Sequence, residues 1–103
     1  MFKKINFHSG NIVYDDFQID PELSFEKQMY NFKQDMFQVD FLNKYLIDIG
    51  WYPDFDKNGM FKIVIIKEYN WEKPFYIERC RTIDELKEHL VKCINIINNQ
   101  LDI

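Results

Sequence analysis

The chain reads as a small α+β domain, and three observations say so. Apolar and polar residues alternate with period two in successive stretches between Phe37 and Arg81. An apolar stripe at helical spacing runs from Ile83 to Asn98. Short turn-forming segments, not linkers, separate these stretches. The expected architecture is a single two-layer domain over residues 1–103. It has an antiparallel four-stranded meander with two helices packed on one face, and an N-terminal strand pair as an extension that the pattern allows.

Phe2 to Phe7 alternates loosely and reads as a first strand, followed by the turn cluster His8-Ser9-Gly10-Asn11. Asn11 to Ile19 is rich in β-branched and aromatic residues and reads as its partner. Asp20-Pro21-Glu22 has the order of a helix start: a capping carboxylate, a proline at the first helical position, an acid at the positive end of the dipole. Phe25, Met29, Phe32 and Met36 then recur at steps of four, three and four. The spacing predicts a helix over 21–34.

Phe37 to Phe41 alternates as a half-buried strand. In the stretch Tyr45-Leu46-Ile47-Asp48-Ile49-Gly50-Trp51, the odd positions share one face. Met60 to Ile66 reads as a central strand, with Val64 and Ile66 apolar on its second face. Phe75 to Arg81 reads as the last strand, with Phe75 and Ile77 inward and Glu78 outward. Thr82-Ile83-Asp84-Glu85 is a capping box. The helix after it, over 83–98, puts Ile83, Leu86, Leu90, Cys93, Ile94 and Ile97 on one stripe.

At this length the chain is one domain, burying about 60–70% of its unfolded surface. Ten Phe, six Tyr and two Trp are more than one small core needs, so some are expected at the surface, where aromatics with polar neighbours mark partner sites. The net charge is −4, and residues 1–60 carry all of it. That disfavours direct nucleic-acid binding, which wants a basic face, and favours a basic partner. No apolar run reaches the ~20 residues of a membrane span, and the start lacks a signal-peptide core. With only Cys80 and Cys93, reduced thiols and a cytoplasmic location are expected.

Asp54-Phe55-Asp56-Lys57-Asn58-Gly59 matches the first half of a calcium loop. The bidentate Glu that should close the loop is replaced by Ile65. A hairpin turn is the expected reading, with Asn58-Gly59 supplying positive φ. His8, Cys80, His89 and Cys93 have zinc-ligand chemistry without a zinc-site spacing, and Cys93 lies on the apolar stripe. Ser9, Ser24 and Thr82 offer no nucleophile–base motif, and there is no phosphate loop. No enzyme activity, metal or cofactor is expected.

What remains is an aromatic and acidic surface. Trp51, Tyr52, Phe55, Asp54 and Asp56 cluster in sequence at one end of the meander, with Asp48 before them, and Trp71 and Glu72 lie in the next loop, at the opposite end if the strands run straight. Aromatic anchors ringed by carboxylates suit a basic partner. Two readings of them stand level. They are partner contacts, or Trp51 and Phe55 pack inward while Asp54 and Asp56 cap a turn.

The residues Asp35-Met36-Phe37-Gln38-Val39, Asp48-Ile49-Gly50-Trp51-Tyr52-Pro53 and Asn70-Trp71-Glu72-Lys73-Pro74 resemble those of small immunity proteins encoded beside bacterial toxins, of the contact-dependent growth-inhibition type. The likeness runs from residue 35 to 86. It implies a cytoplasmic protein that binds and neutralises a cognate toxin domain, usually a nuclease with a basic cleft. It carries over no catalytic residue, because such proteins are not enzymes. The candidate contacts are then Asp48, Trp51, Tyr52, Asp54, Phe55, Asp56, Trp71 and Glu72. Another acidic inhibitor or adaptor, such as a phage-encoded nucleic-acid mimic, or a small metal-binding domain, are the alternatives.

Overall fold

The computed structural model describes residues 2–101. Five strands form one antiparallel sheet in chain order: β1 (Gly10–Asp15), β2 (Phe37–Phe41), β3 (Tyr45–Tyr52), β4 (Met60–Lys67) and β5 (Tyr76–Cys80). One helix, α1 (Ile83–Leu101), follows. The fold is α+β.

The alternation in β2 and β3 directs Phe37, Val39, Phe41, Ile47, Ile49 and Trp51 to one face, where they join Phe61, Ile63 and Ile65 of β4. α1 lays Leu86, Leu90, Cys93, Ile94 and Ile97 onto that same face. Thr82 caps the helix: its hydroxyl oxygen accepts the Glu85 N–H at 3.2 Å and its O–H donates to the Glu85 carboxylate at 2.9 Å. Only half of the expected capping box is made, since the carboxylate takes the hydroxyl proton and not a backbone N–H.

Three expectations are corrected. The first concerns the N-terminal strand pair. Phe2 to Phe7 forms no strand, and β1 pairs instead with β2, through a bulge between Ile12 and Tyr14. Phe2 leaves the sheet because its ring is taken by the core, 5.0 Å from Phe17 and 4.9 Å from Phe37.

The second concerns the helix over 21–34. The segment is a chain of tight turns with a single 3-10 turn at Met29–Asn31. Asp20 accepts the Glu22 N–H as a cap would, yet no α-helix follows. The Gln28 amide holds the turns: Nε2 donates to the carbonyls of Asp20 and Leu23, and Oε1 accepts the Asp20 N–H. Further on, Lys33 and Phe32 give their carbonyls to the N–H groups of Trp51 and Phe55, at 2.8 and 2.7 Å. Tertiary hydrogen bonds have overridden helical spacing. So one α-helix, not two, lies on the covered face among the described residues.

The third concerns β5. Its register places Tyr76 and Cys80 toward the helix and Ile77 outward, 39% exposed. Glu78 lies on the helix side, 3.8 Å from Lys92 and accepting the Tyr76 hydroxyl at 2.8 Å. A shift of one residue moves every side chain to the other face. The apolar pair Phe75 and Ile77 suggested one phase; the packing of Tyr76 and Cys80 under α1 imposes the other.

Among the described residues, the opposite face carries no helix. Leu46, Val64 and Ile66 form a small buried cluster there, bordered by Tyr69. Beside it, Gly50 admits a close approach of backbone. A Cβ on Gly50 would overlap the Gln34 carbonyl oxygen. Gly50→Ala must therefore displace that strand-like segment. The expected loss is about 1–3 kcal/mol, read as a lower urea midpoint with an unchanged slope.

Candidate functional site

The candidate residues fall in three places. Trp51 is core, at 3% exposure. Its ring lies 4.7 Å from Phe32, 4.9 Å from Phe61 and 6.1 Å from Phe25. Its indole N–H donates to the Asp56 carbonyl at 2.8 Å. The residue thus fastens the 53–59 loop to the sheet.

That loop carries Asp54, Phe55 and Asp56, all exposed. Asn58 and Gly59 do not take positive φ, as the hairpin reading required; Phe55 does, at φ 61. Gly59 serves by lacking a Cβ, which would overlap the Trp51 indole nitrogen. Left-handed backbone at a bulky residue needs outside support. Here the Phe55 N–H donates to the Phe32 carbonyl at 2.7 Å. The Asp56 carboxylate accepts the Asn58 N–H at 2.8 Å, and Arg81 donates to the Lys57 carbonyl at 3.0 Å. So held, Phe55 stays 40% exposed, with its ring edge-on to Tyr30 at 5.3 Å. Tyr30 is 72% exposed.

Beside Phe55 lies a shallow groove with Phe25 and Met29 in its floor and Glu26, Asp54 and Asp56 at its rim. Lys57 also borders it but is engaged with Glu26 at 2.8 Å. The groove is therefore apolar within, and Asp54 and Asp56 supply its net negative charge. Tyr30, Glu26 and Met29 were absent from the sequence candidates because they were assigned to a helix. Tyr30 falls off the Phe25–Met29–Phe32 stripe, and that large aromatic on the polar side was the available signal.

Asp48 and Tyr52 lie on the open face of the sheet. Asp48 is only 7% exposed and accepts the Gln38 side-chain N–H at 2.9 Å. Burial pushes its carboxyl above the usual range; the Gln38 bond opposes this, the Asp35 charge adds to it, and Lys62 opposes it. Tyr52 is raised as well, by burial and then by the charges of Asp48 and Asp35. Its hydroxyl donates to the Gln34 carbonyl at 3.3 Å.

Trp71 and Glu72 lie in the β4–β5 loop, at the end of the sheet opposite the 53–59 loop. Both are exposed. Trp71 shares that end with Leu42 and Tyr69, which sit at positive φ in the two tight turns there. The candidates thus do not form one patch: the structure brings together Asp54, Phe55 and Asp56, places Trp51 beneath them, and sets the others apart.

Cys80 and Cys93 are buried, and burial pushes their thiols up to about 11 and about 12. They are poor nucleophiles and poor metal ligands in that state. No three of His, Cys, Asp and Glu group as metal ligands would among the described residues. A cleft between the Asp20–Gln28 segment and the start of α1 has Gln28 in its wall, but that amide is spent on the segment's own backbone. No helix among the described residues is long and apolar enough to cross a membrane. In comparison with known proteins, no family model, no curated protein and no solved structure matches the chain.

The Asp48 carboxylate has a consequence for stability. Its raised folded pKa means that the native state holds this proton more tightly than the unfolded chain does. Its contribution is therefore most favourable below the unfolded value, about 3.9, and is lost as pH rises through the folded one. Asp48→Asn keeps an acceptor for Gln38 and removes the charge. It is expected to raise the melting temperature at pH 7, with the gain shrinking to nothing below about pH 3.9. A lower melting temperature at pH 7 would contradict this account of Asp48.

Proposed function

We propose that the chain is a binding protein that neutralises a basic partner, after the pattern of the toxin-immunity proteins it resembles. The partner is a toxin domain, a nuclease in the usual case, and the encounter takes place in the cytoplasm. The action is occupancy, without a chemical step.

One observation carries the proposal. Tyr30 and Phe55 stand out from the surface as an aromatic pair, and Phe55 borders a groove with an apolar floor and Glu26, Asp54 and Asp56 at its rim. Aromatic anchors in such a setting supply most of the energy of typical interfaces. The carboxylates steer a basic surface toward them and set its orientation. The loop is already held by Trp51, Phe32 and Arg81, so little ordering is left for binding to drive. The acidity of residues 1–60 extends the same field.

The direct test is affinity capture of the tagged chain from its own cells, with the genes beside its own expressed, read by mass spectrometry. A stoichiometric basic toxin domain is expected. Phe55→Ala and Tyr30→Ala should each weaken the complex by about 2 kcal/mol, roughly thirty-fold, with little change in melting temperature. Asp54→Lys should slow association several-fold at low salt and much less at high salt. Capture of the chain alone would overturn the function. Unchanged affinity in the aromatic variants would move the interface elsewhere.

A further inference from the structure

The open face of the sheet carries a second constellation, unused by the groove. One row of side chains crosses all five strands there: Tyr14, Gln38, Asp48, Val64 and Ile77. Asp48 stands at its centre on β3. Gln38 bonds to Oδ1. Oδ2 accepts no hydrogen bond, and no cation forms an ion pair with Asp48, among the described residues. The side chain is more than nine-tenths buried, and Oδ2 is the oxygen that keeps contact with solvent.

Its surroundings are acceptors and rings. Asp35, exposed, lines a hollow with Tyr14 and Gln38, and its charge reaches Asp48. The Gln34 carbonyl oxygen projects over Gly50, the next residue along β3 on this face. Tyr52 bonds to that carbonyl through its hydroxyl. Lys62 borders the site without neutralising it: its ammonium rests 4.7 Å from the centre of the Tyr52 ring.

A carboxylate so nearly buried, with the Lys62 charge near but no ion-pair partner, costs the fold stability. An incoming cation would remove that cost. The fit favours arginine over lysine. A planar guanidinium has enough donors to reach the Asp48 carboxylate and the Gln34 carbonyl or Asp35 together, and it can lie flat against a tyrosine ring. An ammonium is a compact charge that serves one acceptor well.

We infer that the open face is a docking site for an arginine side chain of a protein partner, with Asp48 as the buried acceptor and Asp35 as the outer one. Charge complementarity selects this occupant: Asp48 and Asp35 form no ion pair among the described residues, while the two nearby ammoniums are engaged, Lys62 over the Tyr52 ring and Lys33 with Asp16. The site stands whether or not the partner is a toxin.

The test uses the full chain and a small probe. Acetyl-arginine amide is titrated into the isotope-labelled protein and followed by amide NMR. Saturable shifts are expected at Gln38, Asp48 and their row, with affinity on the order of millimolar. Acetyl-citrulline amide, neutral and of the same shape, should leave that row unmoved. Asp48→Asn should weaken the arginine probe by about ten-fold or more, and Asp35→Asn by less. Should Asp48→Asn fail to fold, the exposed Asp35→Asn decides by its own loss of affinity. Equal shifts from the citrulline probe, equal binding of acetyl-lysine amide, unchanged binding in the variants, or the same shifts produced by calcium chloride would each overturn the assignment.

Discussion

Much of this structure depends on where Trp51 goes. It occupies the last turn of pleat in β3 and lies on the helix-covered side, among Phe25, Phe32 and Phe61. Its backbone N–H donates to the Lys33 carbonyl and its indole N–H donates to the Asp56 carbonyl. One residue therefore joins the sheet, the irregular segment before β2 and the loop before β4. A large aromatic ring can do this because it offers broad apolar contact and one polar handle that needs a partner when buried. The segment before β2 keeps its turns through Gln28 and gives its Lys33 and Phe32 carbonyls to β3 and the following loop.

That dependence marks the limit of what the sequence made legible. The meander from Phe37 to Arg81 and the C-terminal helix are written in local periodicity, and they form with boundaries close to those expected. Phe25, Met29, Phe32 and Met36 carry an equally good helical period, yet the period records only that these side chains turn inward. It does not record that Gln28 will bind three backbone groups of its own loop. Likewise β5 offers two phases of alternation, and only contact with α1 decides between them. Asn58-Gly59 is the strongest local turn signal in the chain, yet positive φ falls on Phe55, because the Phe32 carbonyl is there to hold it.

The site was legible in part, for a related reason. Asp54, Phe55 and Asp56 are consecutive, so a loop must carry them together. Their partners, Tyr30 and Glu26, are more than twenty residues away in the chain, and only the turn-rich segment brings them near. Period two also separates Asp48 from Trp51, since even and odd positions of one strand face opposite sides. Read as a list, they look like one acidic and aromatic patch. Read with the pleat, they cannot be.

The two surfaces would shape a complex differently. Asp54 and Asp56 are exposed, so their charges cost little in the free protein and act at a distance, where they govern the rate of encounter. Asp48 is nearly buried, so its charge is held against its environment in the free protein. A partner cation placed on it would restore what burial took away, and truncating such a pair is felt in the rate of departure. Fast arrival and slow release thus call for carboxylates in unlike settings. A sheet with a helix on one face only can supply both: exposed acids on the loop at its end, and a single buried acid on the face left open.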